Sequence, residues 1–386
     1  MYELPNNIKI KFEYIYLIGL ALAVFTFTLS ITELSETQTS INDVVNILRY
    51  CGIFLIIIKS LFFTMYKKRE LIIWLILLAV FLLIYEKTGN KNLFFIALLS
   101  LGALNIDSRL ILKYHMIAQI LAVVFTFFLM QNNIIINLIY YRNNKMRPAY
   151  GFIYPTALSA VLFSIFISYT ILKRFTFNIV EYIFIVFLIY FTLIVLDARL
   201  DGYLMVIVCV STLFNKKIIN IIAKAKESIC LIISMILICL SILFSYLFNS
   251  SSSFFNTLDS FFNSRLSQGH IALTQYPISW FGQKIQMQGM GGQQGLHQNF
   301  TKYFYIDNSF IQILVIDGLV LLLIVLMLIA LFFIKWHRQK KYILEIALLF
   351  ICMASIVEDS LVSSATSIIF VIMVANNNWS RDLIRK

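Results

Sequence analysis

Charged side chains are scarce in this sequence. Asp, Glu, Lys and Arg make up 13% of the 386 residues, whereas roughly a quarter of the residues in a soluble globular domain are charged. Hydrophobic residues account for 60% of the chain, and the mean hydropathy is +0.87. This composition excludes a soluble domain and predicts an all-α protein that crosses a lipid bilayer many times.

Other familiar signals are also missing. The five cysteines all lie in apolar segments, which indicates neither a disulfide framework nor a metal site. The sequence contains no glycine-lysine loop of the kind that cradles ATP phosphates, so ATP-driven transport is not indicated. No small-residue cleavage site closes the first apolar stretch, which we therefore expect to be a retained helix. We expect no cofactor and no metal.

Apolar runs recur along the whole chain, and a bilayer-spanning helix needs about 17 to 25 such residues. They predict a single integral membrane domain over residues 1–386 with about twelve transmembrane helices. The predicted spans are 12–31, 44–65, 70–86, 91–105, 109–130, 152–172, 176–196, 202–215, 226–248, 308–334, 341–357 and 360–376.

Basic residues between these spans orient the chain. Twenty Lys and Arg fall in one set of connections and nine in the opposite set. Short connections rich in Lys and Arg face the cytoplasm, so both termini are predicted to be cytoplasmic. The formal charge of +12 is thereby explained by topology, and no nucleic-acid partner is expected.

Residues 249–306 form one large polar segment between long apolar stretches, and the charge pattern places it outside. A loop of this length is usually functional or disordered, and its spaced aromatic and ionisable residues favour function. Leu258, Phe262 and Leu266 recur every four residues, which predicts an interfacial helix around 258–269.

Three predicted outside segments carry arginines in short, structured contexts: Arg147, Arg199 and Arg265. Each alone is typical of a side chain that reaches lipid headgroups, and Arg142 is interpreted as a solvated loop residue. Together they predict a site for a phosphate-bearing lipid, because guanidinium groups bind phosphate oxygens at two points and keep their charge. Arg199 and Arg265 are expected to line opposite sides of one cavity.

Candidate proton acceptors lie on the same predicted side. Asp307 is equally well explained as a helix N-cap, and Glu358-Asp359 as a plain outside turn. His270, five residues from Arg265, is the better-placed histidine. The full set is His270, His297, Asp307, Glu358 and Asp359.

The chain resembles the Wzy-type polymerases of oligosaccharide repeat units, which are related to the O-antigen ligases. The resemblance covers nearly the full length, with many spans, a short outside loop with arginine and then a large outside loop with arginine. Relatives often have Ser where this chain has Ala198 and Asn where it has Thr156. The matching pieces are Arg147–Pro155, Asp197–Arg199, Ser264–Leu266, Phe281–Gly282, and Tyr305–Ser309 with Gly318.

The resemblance implies a GT-C-like glycosyltransferase of the bacterial cytoplasmic membrane that acts on undecaprenyl-diphosphate-linked oligosaccharides at the outer face. In that family the growing chain leaves its lipid carrier and joins the next lipid-linked repeat, alongside other polysaccharide-assembly membrane proteins. Arginines would hold the diphosphate, and Asp307 or His270 would serve as base. Aromatic and amide side chains would bind the sugars: Trp280, Tyr303, Tyr305 and Asn308.

Two other functions remain open at this point. An O-antigen ligase would use the same chemistry with a different acceptor. A flippase or transporter of lipid-linked sugars would concentrate ionisable residues at the bilayer midplane and show internal repeats, and no clear repeat is visible here.

Overall fold

The structure, a computed structural model, describes residues 6–297 and 303–377 and is mostly helical. Two five-residue π-helical turns, Phe191–Val195 and Ile313–Asp317, each directly follow a short α-helix. The helices are α1 (Asn6–Leu29), α2 (Leu34–Thr37), α3 (Thr39–Phe62), α4 (Lys68–Thr88), α5 (Asn92–Gly102), α6 (Ser108–Gln131), α7 (Pro155–Leu172), α8 (Ile179–Tyr190), α9 (Arg199–Leu213), α10 (Asn215–Lys224), α11 (Ile229–Tyr246), α12 (Ser253–Phe261), α13 (Arg265–Gln275), α14 (Gly292–His297), α15 (Ser309–Gln312), α16 (Leu319–Arg338), α17 (Tyr342–Val357) and α18 (Ile369–Val374).

Within the described ranges, seven helices are long and apolar enough to cross a membrane: α1, α3, α4, α6, α7, α11 and α16. Helices α9 and α10 add an eighth if this pair, bent by 81°, is one span. Helices α5, α8 and α17 are apolar but shorter. The prediction of an all-α polytopic membrane protein is therefore confirmed in outline, whereas twelve spans are not shown.

Two predicted spans differ from the structure. The range 360–376 is not a continuous helix, because residues 358–368 form turns and only α18 follows. Polar side chains near the middle of α6 and α7 bind this irregular backbone: Gln119 Nε2 donates to the Ala365 carbonyl (2.9 Å) and Ser164 Oγ to the Thr366 carbonyl (3.0 Å). The range 308–334 is interrupted at Gly318, whose φ of +99° ends one helical segment before α16 begins.

The segment 249–306 is docked on the helices where the structure describes it. The predicted helix over 258–269 is wrong as a single element, because Asn263 and Ser264 have φ of 50° and 64° and separate α12 from α13. Further along, the carbonyls of Ser279 and Trp280 accept the N–H groups of the first two residues of α16. The loop thereby caps a membrane-spanning helix.

A β-hairpin that the sequence analysis did not predict joins α6 to α7. Strands β1 (Ile139–Arg142) and β2 (Lys145–Pro148) pair antiparallel, with Tyr140 opposite Arg147. Asn143 and Asn144 both have positive φ, as a two-residue type I′ turn requires. The side chains of Tyr140 and Arg147 are buried, whereas those of the neighbouring pair, Tyr141 and Met146, are exposed.

The orientation of the chain can be tested directly. A reporter enzyme that is active only outside the cytoplasm is expected to be active when fused after Gln288 and silent when fused after Lys341, because of the charge bias between the two sets of connections. Enzyme activity in intact cells, with fusion levels checked by immunoblot, measures this. The reverse pattern would place the loop 249–306 and its arginines in the cytoplasm.

Candidate functional site

Four basic side chains surround one buried carboxylate, that of Asp197. Arg199 Nε lies 3.0 Å from Oδ1 and Arg142 Nη1 3.3 Å from Oδ2. Lys145 Nζ and Arg147 Nε each lie 3.9 Å from a carboxylate oxygen. One carboxylate against four cations leaves a formal excess of three positive charges. We call these five residues the basic cluster.

Local backbone geometry explains this convergence. The hairpin turn places Arg142 and Lys145 as directly paired residues, and β2 directs Arg147 to the buried face. Asp197 has φ of +47° at the junction between the π-helical turn and α9. This left-handed residue turns the chain so that Arg199 begins α9 next to it.

Arg147 is the most buried member, with a side chain only 1% exposed. Its Nε donates to the Leu196 carbonyl (3.0 Å), its Nη1 to the Tyr154 hydroxyl (3.4 Å), and its guanidinium lies 5.4 Å from the Tyr154 ring centroid. Its Nη2 has no hydrogen-bond partner in the part of the chain that the structure describes. An unpartnered buried donor is costly, so Nη2 is a donor ready for an anionic oxygen.

The other cations of the basic cluster are more accessible. The side chains of Arg199 and Lys145 are 44% and 42% exposed. Burial, and then repulsion from neighbouring Arg147, lowers the pKa of Arg142. Arginine keeps its charge at any physiological pH, so the repulsion persists until an anion binds and offsets it.

A second group of ionisable residues surrounds Arg265, at the start of α13. Arg265 Nη2 donates to Glu358 Oε1 (3.0 Å), its Nε lies 3.7 Å from Asp307 Oδ2, and Nε also donates to the Val357 carbonyl. Burial alone would lower the pKa of Arg265, but the charges of Asp307 and Glu358 raise it. We call Arg265, Asp307 and Glu358 the carboxylate cluster. Here, unlike in the basic cluster, the guanidinium is already neutralised.

Asp307 is not the helix cap. Asn308 has that role, because its Oδ1 accepts the N–H groups of Phe310 and Ile311 at 3.0 and 3.2 Å. The Asp307 carboxylate instead faces Arg265, with 23% of the side chain exposed. Burial raises the pKa of Asp307, and Arg265 opposes that rise. The group is thus an accessible carboxylate whose proton affinity is above the ordinary value.

The acidic pair after α17 is not the plain outside turn that the sequence suggested. Glu358 is buried against Arg265, and burial followed by the charge of Asp201 raises its pKa well above the ordinary value. The Tyr305 hydroxyl donates to Asp359 Oδ2 (2.6 Å), and burial raises the pKa of Asp359 to about 6.

A small cavity joins the two clusters. Arg142 and Arg199 line it from the basic cluster, and Arg265 and Glu358 from the carboxylate cluster. Asp201, which accepts a hydrogen bond from Ser159, also lines it. The cavity encloses about 10 Å³, roughly the space of one water molecule. Arg199 and Arg265 therefore do lie around one cavity, but it is too small for a diphosphate.

An apolar groove of about 440 Å³ runs along α9, α11 and α17 and reaches Arg265. Its walls include Ile207, Leu240 and Phe261, which are exposed hydrophobic residues. Asn308 lines it too and donates to Ser241 Oγ (3.2 Å). The groove thus combines an apolar, outward-facing wall with one charged end.

The remaining predicted site residues are dispersed. Tyr303 lies close enough to Asp307 and Tyr154 that, after burial, their charges raise its pKa. His270 contacts the carbonyls of Ser245 and Tyr246 at the end of α11 and does not line the cavity. Trp280 is exposed in the turn that caps α16. The side chain of His297 lies outside the described residues.

Sequence reasoning misjudged Arg142, which is bonded to Asp197 and is not merely solvated. It also overlooked Lys145 and Tyr154. The sequence signal for Arg142 and Lys145 is the dipeptide Asn143-Asn144 between them, because a two-residue turn of this type pairs the residues on either side of it.

No protein-family model matches the chain, and comparison with curated proteins and with solved structures found no match. Function is therefore inferred from the geometry of the two clusters and the groove, together with the sequence resemblance.

Proposed function

We propose that this protein is a Wzy-type glycosyltransferase that joins undecaprenyl-diphosphate-linked oligosaccharide repeat units at the outer face of the bacterial cytoplasmic membrane, with both termini in the cytoplasm. The observation that carries the proposal is an apolar groove whose charged end adjoins a cluster with three excess positive charges. A lipid diphosphate has the complementary form, an apolar chain joined to a compact anion.

The basic cluster holds the diphosphate. Because the cavity has room for about one water, the anion binds outside it, on the exposed side chains of Arg199 and Lys145. Arg147 Nη2 supplies an unpartnered donor behind them. Donors already in place where charge develops stabilise a departing diphosphate without reorganisation. Arg265 contributes less to this anion, because two carboxylates already face it.

Asp307 is the base in this proposal. The acceptor hydroxyl attacks the anomeric carbon of the donor sugar, the bond from that carbon to the diphosphate oxygen breaks, and the hydroxyl proton passes to Asp307. The lipid diphosphate leaves with the bonding electron pair. Arg265 favours the ionised form of Asp307 before the attack, and Tyr303 beside it offers a ring face to a sugar.

A strain that lacks this gene tests the function. It is expected to lose polymer and to accumulate single lipid-linked repeat units at the outer face, because the preceding steps remain intact. Accumulation of finished polymer on its lipid carrier would indicate a ligase instead. Accumulation of single units confined to the inner leaflet would indicate a flippase. Unchanged polymer would overturn all three.

Two matched variants test whether polymer formation needs the groove. Leu240 and Ile233 lie on one face of α11, two turns apart, with exposures of 38% and 40%, but only Leu240 lines the groove. Leu240→Trp is expected to fill the groove and reduce polymer yield at least about tenfold, whereas Ile233→Trp leaves it unchanged. Gel analysis of polymer at matched protein levels measures this. Equal yields from both variants would remove the groove from the mechanism.

A further inference from the structure

Glu33 is a fully buried carboxylate that the proposed mechanism does not use. It lies between α1 and α2, and its side chain has no exposed surface. Neither of its carboxylate oxygens has a hydrogen-bond partner among residues 6–297 and 303–377. Buried carboxylates are normally paired or hydrogen-bonded, so these two acceptors indicate a ligand that donates hydrogen bonds.

The surroundings of Glu33 belong to the same face as the basic cluster. Its backbone N–H donates to the Gly151 carbonyl (2.9 Å), within the segment that connects β2 to α7. The neighbouring carbonyl of Ile153 accepts both the Tyr140 hydroxyl (2.7 Å) and the Gly292 N–H (2.8 Å). Glu33 therefore lies where the glycine-rich part of the loop meets the hairpin.

Glycine is required at this meeting point. Gly292 has φ of +77°, and a Cβ there would lie 2.1 Å from Glu36 Oε1. The loop backbone thus comes directly against a second carboxylate, three residues beyond Glu33. Burial, and then the charge of Glu36, raises the pKa of Glu33 to about 7.

Two aromatic rings connect Glu33 to the basic cluster. The ring centroids of Tyr140 and Tyr154 are 4.5 Å apart in an edge-on arrangement. The Arg147 guanidinium lies over the Tyr154 ring. Glu33 is close enough to Tyr140 that its charge, after burial, raises the pKa of that hydroxyl. From the anion site outward, the order is thus Arg147, the Tyr154 ring, the Tyr140 ring and the Glu33 carboxylate.

We infer that Glu33, with Tyr140 and the Gly291–Gly292 backbone, forms a sugar subsite that binds vicinal hydroxyls of the repeat unit beyond its diphosphate. This inference rests on the proposed function. Two adjacent sugar hydroxyls supply the two donors that the carboxylate oxygens lack. A phosphate is excluded because Glu33 and Glu36 would repel it, and an apolar chain would leave both oxygens unpaired.

The test uses purified full-length protein in lipid with lipid-linked repeat units extracted from the deletion strain. Glu33→Gln is expected to raise KM for these units about tenfold or more, with kcat within about threefold, because a charged acceptor is lost from binding alone. Inorganic pyrophosphate, used as an inhibitor, reports on the basic cluster separately. Its inhibition constant is expected to be the same for Glu33→Gln and wild type. Asp43→Asn, which removes an exposed carboxylate from α3, is the matched control and is expected to behave as wild type.

Glu33→Asp keeps the carboxylate and is expected to fall between wild type and Glu33→Gln. An unchanged pyrophosphate constant in both variants shows that a folding defect is not the cause. An unchanged KM in Glu33→Gln overturns the subsite, as does a parallel change in the pyrophosphate constant. Calorimetry with the oligosaccharide freed from its lipid by mild acid separates this inference from the proposed function. Binding by wild type that Glu33→Gln loses supports the subsite even where no polymer forms.

Discussion

Arg199→Lys is expected to stop polymer formation almost as completely as Arg199→Ala, and both strains should accumulate single lipid-linked repeat units. Lysine keeps the charge but loses the planar, two-point contact with phosphate oxygens. Removing one contact of this kind typically lowers a rate about 10²–10³-fold. The side chain is 44% exposed and, among the residues that the structure describes, bonds only Asp197, so the fold should survive both changes. Extracted lipid-linked sugars and gel-resolved polymer are the readouts.

Arg69→Lys, an exposed arginine at the start of α4, is the matched control and should leave polymer unchanged. Full-length polymer from Arg199→Ala at normal protein level would show that Arg199 is a surface residue with no role in leaving-group stabilisation. The same comparison at Arg265 is less informative. Arg265→Ala leaves Glu358 buried without its partner, which destabilises a protein by about 3–5 kcal/mol whatever the residue does in catalysis.

Asp307→Asn is expected to lower the rate of glycosidic bond formation about 10²–10⁴-fold, the usual contribution of a general base. Asparagine fills the same space but accepts no proton. Because burial raises the pKa of Asp307, the wild-type rate should rise with pH as this group ionises and then level off. The variant should show a low rate without that rise. Initial rates of the purified protein across a pH series measure both effects.

Asp359→Asn provides the control for the base assignment. This carboxylate lies near Asp307 but accepts a hydrogen bond from Tyr305, and its loss should change the rate only a few-fold. If Asp359→Asn gave the large loss and Asp307→Asn the small one, the base would be Asp359. Comparable small losses from both would leave the reaction without a carboxylate base.

The long apolar helices could be predicted because hydropathy over about twenty residues is a strong signal. The failure at 360–376 has an identifiable cause. Ser360, Ser363, Ser364 and Ser367 interrupt the apolar run, and the backbone there finds partners on other helices, which hydropathy along one segment cannot reveal.

The arginines could also be selected, since cations on the side that is predicted to face outward oppose the usual charge bias. Their separation into the basic cluster and the carboxylate cluster could not be predicted from the sequence. That difference depends on Asp197 and Glu358, each brought close by long-range contacts between the hairpin, α9, α13 and the end of α17. Glu33 was missed for the same reason, because one glutamate after an apolar helix is ordinary until its burial is known.

The irregular segment 358–368 has a consequence for how the protein is assembled in the membrane. A helix satisfies its own backbone and can enter lipid alone, whereas this segment relies on Gln119 and Ser164 for its Ala365 and Thr366 carbonyls. Those side chains belong to α6 and α7, made far earlier in synthesis. The C-terminal region must therefore remain outside lipid until the N-terminal helices have assembled around a polar opening. Biogenesis ends with a docking step inside the protein, and the Glu358–Arg265 contact forms only then.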